Sequence, residues 1–188
     1  EPTGVKVEFP VKTKDIAEFE RAAIRVFKGF PIQPAGLLVS ATTALAVEPK
    51  QIGSFWKAFP NDYLPKGGFW ARQGCVLYPI DLSQIDDHAV EKEESYWDYS
   101  DGSSTRKTRM VPVLSENFER YAKMGLTVVI DFPIGSLEFD LSRERLAYND
   151  HTVLALRGRW LEFTDDLDRL FAEKFDAVPT GWGQMSLA

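Results

Sequence analysis

Val153, Leu156, Trp160, Phe163, Leu167 and Leu170 recur at intervals of 3, 4, 3, 4 and 3 residues without a slip. A stripe of that rhythm runs along one face of an α-helix. The spacing predicts one long C-terminal helix over residues 150–175, with Phe171 and Phe175 widening its apolar side. Bulky aromatics in so short a run suit packing on a sheet better than a coiled-coil dimer seam. Gly158 sits inside the run and costs about 1 kcal/mol relative to Ala, which packing along the stripe has to offset. The rest of the chain must therefore supply a sheet.

Residues 126–132 (Leu-Thr-Val-Val-Ile-Asp-Phe) are β-branched and almost continuously apolar, as expected of a central strand covered on both faces. Val5, Val7, Phe9 and Val11 alternate with polar residues, although Pro10 confines such a strand to an edge. A further strand is expected over 69–80, after a Gly67-Gly68 hairpin turn, and a short final one where Leu137, Phe139 and Leu141 alternate. Cys75 would lie inside the 69–80 strand as an inert core thiol. Between residues 31 and 66 five prolines interrupt the pattern, and short strands are expected there, one of them over 36–42. Thr13 is placed to cap a helix carrying Ile16, Phe19, Ala23, Val26 and Phe30 and ending near Gly29. Ser115 is placed to cap another, with Phe118, Tyr121 and Ala122 on its apolar side and Gly125 at its end. Strands and helices in this order give an α+β class.

The formal charge is −6, which disfavours a broad nucleic-acid surface. A single cysteine rules out an intramolecular disulfide and points to a reducing, cytoplasmic setting. No apolar run reaches the ~18 residues of a membrane span, and Glu1-Pro2-Thr3-Gly4 has neither the charge nor the apolarity of a leader. The missing initiator Met suggests a piece of a longer protein. Residues 86–101 hold seven acids and one base, Lys92, followed by Arg106, Lys107 and Arg109; that pattern reads as a solvated loop whose acids pair with the basic patch. Asp86-Asp87-His88 lacks both the spaced oxygens of a hard-cation loop and the His/Cys set of a zinc site, so no metal is assigned. There is no Walker loop, no Gly-x-Gly-x-x-Gly and no Gly-x-Ser-x-Gly elbow. His151, beside Asp150, reads as a helix-start residue, and Asp165, Asp166 and Asp168 as a solvated helix face.

One segment is different. Asp131-Phe132-Pro133-Ile134-Gly135-Ser136-Leu137-Glu138-Phe139-Asp140, followed by Ser142-Arg143-Glu144-x-Leu146-x-Tyr148, resembles the middle or transducer domain of the GHKL ATPases. Within that superfamily it is most similar to the phage rIIA-like proteins. Gly74 with Tyr78-Pro79-Ile80 looks like a recurring rIIA-like strand, and Thr3-Gly4-Val5-Lys6-Val7 is similar to the last strand of a GHKL nucleotide-binding domain. The resemblance implies a division into residues 1–12, that last strand or a linker; 13–178, the transducer domain with its left-handed βαβ fold, a mixed sheet with helices packed on one face; and 179–188, a loose tail. It also implies that Arg143 reaches the γ-phosphate of ATP held by the preceding domain, with Arg145 as the substitute if the loop turns its other face. A planar, permanently charged guanidinium suits that task, because it forks onto phosphate oxygens. The chaperone branch places a Gln four residues after its arginine, where this chain has Ala147. ATP and magnesium belong, on this reading, to the parent protein. The catalytic Glu, the magnesium-binding Asn and the adenine-binding Asp-x-Gly-x-Gly stretch are not in the sequence, so the chain alone is expected neither to bind ATP tightly nor to hydrolyse it. The partners implied are its own N-terminal nucleotide-binding domain, a second copy in a homodimer and an rIIB-like protein, in the host cytoplasm with peripheral membrane contact.

Two other classes compete. A nucleic-acid-binding module would use Arg106, Lys107, Arg109 and the Arg157/Arg159 pair. A protein-binding scaffold would use Trp97, Tyr99 and Trp182.

Overall fold

The computed structural model describes residues 10–32, 45–100 and 104–176. A single 3-10 turn, Thr13–Asp15, leads into α1 (Ile16–Phe27). Strands β1 (Gln51–Ile52), β2 (Trp56–Pro60), β3 (Gly68–Gln73) and β4 (Val76–Pro79) follow. A long ribbon of β5 (Val90–Asp98) and β6 (Thr105–Val113) precedes α2 (Glu116–Ala122), β7 (Leu126–Phe132) and α3 (Asp150–Asp176). The main sheet has the order β1-β2-β7-β3-β4. Its β3–β7 pairing is parallel and the other three are antiparallel. The molecule is thus α+β, with a mixed sheet and a long C-terminal helix.

Alternation along the strands sorts the core into two layers. On one side Trp56, Ala58, Phe69, Ala71, Val128 and Ile130 meet Tyr121 of α2 and Leu156, Trp160, Phe163 and Leu167 of α3. Here the rings interlock, with Trp56 edge-on to Phe163 at 5.1 Å, Phe69 edge-on to Trp160 at 4.9 Å and Phe118 stacked on Trp160 at 4.6 Å. Such offset and T-shaped contacts add about 0.5–1.5 kcal/mol each to the gain from burial. Trp56 Nε1 donates to Asp166 Oδ2 at 2.8 Å, a polar tie between the sheet and α3. On the other side Phe59, Tyr63, Leu64 and Val129 form a smaller cluster.

The end of α1 abuts that second side. A Cβ on Gly29 would fall 2.4 Å from the Cys75 carbonyl oxygen, so only glycine fits there, and Lys28 Nζ donates to the Tyr63 carbonyl oxygen. Helices on one face therefore describes α2 and α3 but not the end of α1.

Several expectations change. The 69–80 strand is a hairpin whose two-residue turn is Gly74-Cys75. Cys75 is consequently exposed and not core. Gly67-Gly68 does not close a hairpin, because β7 lies between β2 and β3. The acid-rich stretch is not a loop but β5, paired over nine residues with β6. Its acids find cross-strand partners that were far away in sequence: Arg109 Nη2 lies 2.8 Å from Glu94 Oε2, and Lys107 pairs with Asp98. Asp86 is buried and closes the base of the ribbon, accepting from Ser115 N at 2.6 Å, Ser115 Oγ at 3.0 Å and His88 N at 3.0 Å. Ser115 is the N-cap of α2, but its hydroxyl serves Asp86 and makes no cap bond. Thr13 is not a cap: Lys12 precedes the 3-10 turn and Asp15 precedes α1, and neither makes a side-chain cap bond. Phe171 is exposed and does not widen the α3 stripe. The strands expected over residues 5–11 and 36–42 fall wholly or largely outside the described residues.

Candidate functional site

Chain direction reverses after β7 through Pro133-Ile134-Gly135-Ser136, with Ser136 N donating to the Pro133 carbonyl at 3.2 Å. Gly135 adopts φ 87°, the third-position geometry of a type II turn that glycine meets without steric cost. Leu137 is then buried, its N–H held by Gln73 Oε1 at 3.0 Å, so the segment is pinned to the end of β3. The expected strand through Leu137, Phe139 and Leu141 reduces to one bridge, Phe139 opposite Leu146, and Leu141 stands fully in solvent. Flanking that bridge, Asp140 N donates to the Arg145 carbonyl at 3.1 Å and Ala147 N to the Glu138 carbonyl at 2.9 Å. The result is a hairpin-like projection with residues 141–144 at its tip.

Asp140 organises the tip. Its Oδ1 accepts from Ser142 Oγ at 2.8 Å and from Glu144 N at 3.3 Å, while its carbonyl accepts Arg143 N at 3.0 Å. The Ser142 hydroxyl, chiefly, holds this carboxyl below the usual carboxylate range. Within this frame Arg143 takes φ 58°, the left-handed region that residues with a Cβ rarely enter. Its side chain is exposed and, among the described residues, has no hydrogen-bond or ion-pair partner. The simple alternative, that Arg143 only neutralises a nearby carboxylate, thus has no partner to name. Arg145 is also exposed at the side of the projection.

Two anchors fix the projection to the domain. Phe139 stacks on Tyr78 of β4 at 4.4 Å, and the Tyr148 hydroxyl accepts Asp81 N at 2.7 Å. Burial raises the Tyr78 phenol above its ordinary pKa, while the positive charge of Arg143 works in the opposite direction, placing that charge close to the edge of the sheet. The second anchor is the start of α3. Asn149 is its N-cap, Oδ1 accepting Thr152 N at 2.9 Å. Asn149 Nδ2 donates to Glu138 Oε2 at 2.6 Å, and the buried Thr152 Oγ1 accepts Glu138 N at 2.9 Å. His151 lies 3.8 Å from Glu138 Oε1. Asp140, Glu138 and Asn149 were not singled out from the sequence, although Asn149 three residues before Thr152 carries the N-cap spacing.

Each of the other nominated cations has a partner within the chain. Arg106 reaches Ser95 Oγ, and Lys107 and Arg109 are paired on the ribbon. Arg157 is held by the Ile85 carbonyl and Asp87, while Arg159 is held by Glu162 and lies over Phe55 at 4.5 Å. Trp97 and Tyr99 are exposed on and beside β5, whereas Trp182 lies outside the described residues. Among the described residues no group of three or more His, Cys, Asp or Glu side chains is arranged to hold a metal ion, and no helix is long and apolar enough to cross a membrane. No protein-family model, characterised protein or solved structure matches this chain.

Proposed function

We propose that the chain is the transducer domain of an rIIA-like GHKL ATPase, with the left-handed βαβ arrangement that this resemblance implies. In this role it presents Arg143 to ATP bound in the preceding nucleotide-binding domain. The observation that carries the reading is an unpaired guanidinium at the tip of an anchored projection, held by a backbone conformation that costs roughly 1–2 kcal/mol for a residue with a Cβ. Strain of that kind persists where the surroundings over-determine it, and clusters at working sites.

ATP and its magnesium supply the phosphoryl chemistry, and this chain contributes charge and position. Arg143 forks onto terminal phosphate oxygens and offsets the charge that builds there, an effect worth ~10³–10⁵ in rate when an arginine is delivered from a neighbouring body. Asp140 and Ser142 hold the tip so that little reorganisation is needed on docking. Leu141, fully exposed two residues before the arginine, gives the neighbouring domain an apolar contact to seat against. A pull on Arg143 passes through Glu138 to Asn149 and Thr152, the cap of α3, so the presence of the γ-phosphate biases the position of a 27-residue helix. ATP state then reads out in the host cytoplasm as movement of α3 toward partner or dimer contacts, an rIIB-like protein or a membrane surface among them.

The experiment is ATP turnover by the isolated nucleotide-binding domain with this chain added. Wild type is expected to stimulate it, and Arg143→Ala to remove at least about a hundredfold of that stimulation. Equal stimulation by both proteins rejects the role. The exposed Trp97 and Tyr99 favour a second reading, a protein-binding scaffold, whose contacts would be indifferent to nucleotide.

A further inference from the structure

On the side of the sheet away from α3, the end of α1, strands β2 and β3 and residues 45–49 border a recess of about 130 Å³. The chain carries a net charge of −6, yet no acidic side chain lines this recess, while Lys28, Lys57 and Arg72 all do. Strand alternation sends Lys57 there, because its neighbours Trp56 and Ala58 belong to the opposite core layer. In register Lys57 stands opposite Val129 and Arg72 opposite Asp131, so these two cations rise from the strands that flank β7. Two of the three cations have structural ties. Arg72 holds Asp131, with Nε 2.5 Å from Oδ1 and Nη2 2.8 Å from Oδ2. Lys28 Nζ donates to the Tyr63 carbonyl and lies 4.7 Å from the centre of that ring. Lys57 is half-buried, and its ammonium has no hydrogen-bond or ion-pair partner among the described residues. Burying an ammonium and setting it among like charges both oppose folding, so the fold alone does not account for this lysine.

We infer that the recess formed by Lys28, Lys57 and Arg72 binds a dianionic phosphate group, free or as a monoester. Charge selects the ligand. Three cations against the single carboxylate of Asp131 leave an excess of two, which matches the charge of about −1.5 to −2 on a phosphate group at neutral pH. A carboxylate would leave one cation unanswered. Donors are also in supply, since Asp131 takes two of the five N–H groups of the Arg72 guanidinium and Tyr63 takes one of the three on Lys28. The guanidinium forks onto phosphate oxygens, and the ammonium groups act as point charges. Size limits the ligand to the group itself. The recess holds roughly four waters' share of liquid volume at ~30 Å³ each, well under the ~300–1,000 Å³ of a site for a drug-sized molecule. Leu45 and Phe59, both buried, wall it and keep water away, which strengthens the attraction. Burial already lowers the pKa of Lys28 from 10.5, against the pull of Asp62 from outside the recess, so this ammonium is short of solvation that an anion would restore. Arg143 is anchored through Tyr78 in the other core layer, and the recess does not rest on the role assigned to it.

Calorimetric titration of the full chain tests this, with inorganic phosphate, glycerol 3-phosphate and acetate as the probes at one salt concentration. At least one of the two phosphates should bind with a Kd of about 1 mM or tighter, and acetate should bind at least about tenfold more weakly. Glycerol 3-phosphate binding as tightly as inorganic phosphate would assign the site to a monoester; inorganic phosphate binding alone would assign it to the free ion. Lys57→Met keeps the apolar stem and removes only the unpaired charge. It should weaken phosphate binding about tenfold or more with unchanged circular dichroism. Lys50→Gln, at an exposed position outside the recess, should change nothing. No binding of either phosphate up to about 20 mM, acetate bound as tightly as phosphate, or a Lys57→Met protein that binds like wild type would each overturn the inference.

Discussion

Arg143 adopts φ 58°, which glycine would adopt at no steric cost. Arg143→Gly therefore separates fold from function. Relief of left-handed strain and the greater freedom of an unfolded glycine are each about 1 kcal/mol and oppose each other. The unfolding free energy from urea titration should stay within about 1 kcal/mol of wild type, while stimulation of the nucleotide domain is lost as fully as in Arg143→Ala. A glycine variant that still stimulates would show that the projection, not the guanidinium, does the work. The Ser-Arg-Glu triplet is legible in the sequence; the frame that aims it is not, because Asp140, whose bonds to Ser142 and Glu144 hold the tip, reads as one acid among many until the Phe139–Leu146 bridge is seen to close the projection. Cys75 shows the same limit. Alternation through residues 76–80 reads as part of one strand, and only the Gly74-Cys75 reversal, seen in the pairing of Gln73 with Val76, puts the thiol in solvent.

At the scale of elements, α3 and β7 were legible because each carries a complete local pattern. Leu156, Trp160, Phe163 and Leu167 are buried as their spacing requires, and Val128, Val129 and Ile130 are covered from both sides. What ties them together is less visible. Asp166 reads as one acid among several on a helix, yet it is buried and holds Trp56, itself 1% exposed, across a separation of 110 residues. The Trp56 N–H, chiefly, keeps the Asp166 carboxyl below its ordinary value of 3.8, with Arg169 adding to the effect. Asp86 is lowered as well, since the hydrogen bonds from Ser115 and His88 overcome the upward pull of its burial. A carboxylate whose folded pKa lies below its unfolded one stabilises the fold above the unfolded value, and that contribution is lost as pH falls through the folded value. Acid should thus weaken the protein below about pH 4. Measured as urea midpoints from pH 6 to pH 2.5, the fall should be smaller in Asp166→Ala than in wild type. The variant should also start about 1–3 kcal/mol lower at pH 6, because the buried Trp56 N–H is left unpaired. An identical acid slope in the two proteins would mean that Asp166 is not a source of the pH dependence.

For the molecule as a whole, the sheet order could not be read from the chain, because β7 is inserted between β2 and β3 by pairings that span more than fifty residues. The ribbon was hidden for a related reason. Its acids argue for a solvated loop until Glu94 meets Arg109 and Asp98 meets Lys107, and Lys107 then holds Asp98 at about 2, so that pair survives deep into acid. Along both strands only Asp98 and Val111 are even half-buried, and neither strand joins the core. A two-stranded hairpin alone is marginal in water, so the ribbon stands as an appendage to the α+β body. The body closes beneath it through Asp86 and Ser115. Since Val90 faces Val113 directly across the pair, a two-residue Asn-Gly turn can span the gap left by removing residues 91–112. The shortened chain should fold, with a thermal midpoint within about 5 °C of wild type. Its Arg143 projection, rooted in β3, β4 and α3, should still stimulate the nucleotide domain. Unfolding on excision would place the ribbon inside the cooperative unit. A stable, shortened protein that no longer stimulates would instead make the ribbon part of the surface on which the nucleotide domain docks, and the two outcomes are separated by circular dichroism and turnover measured on the same preparation.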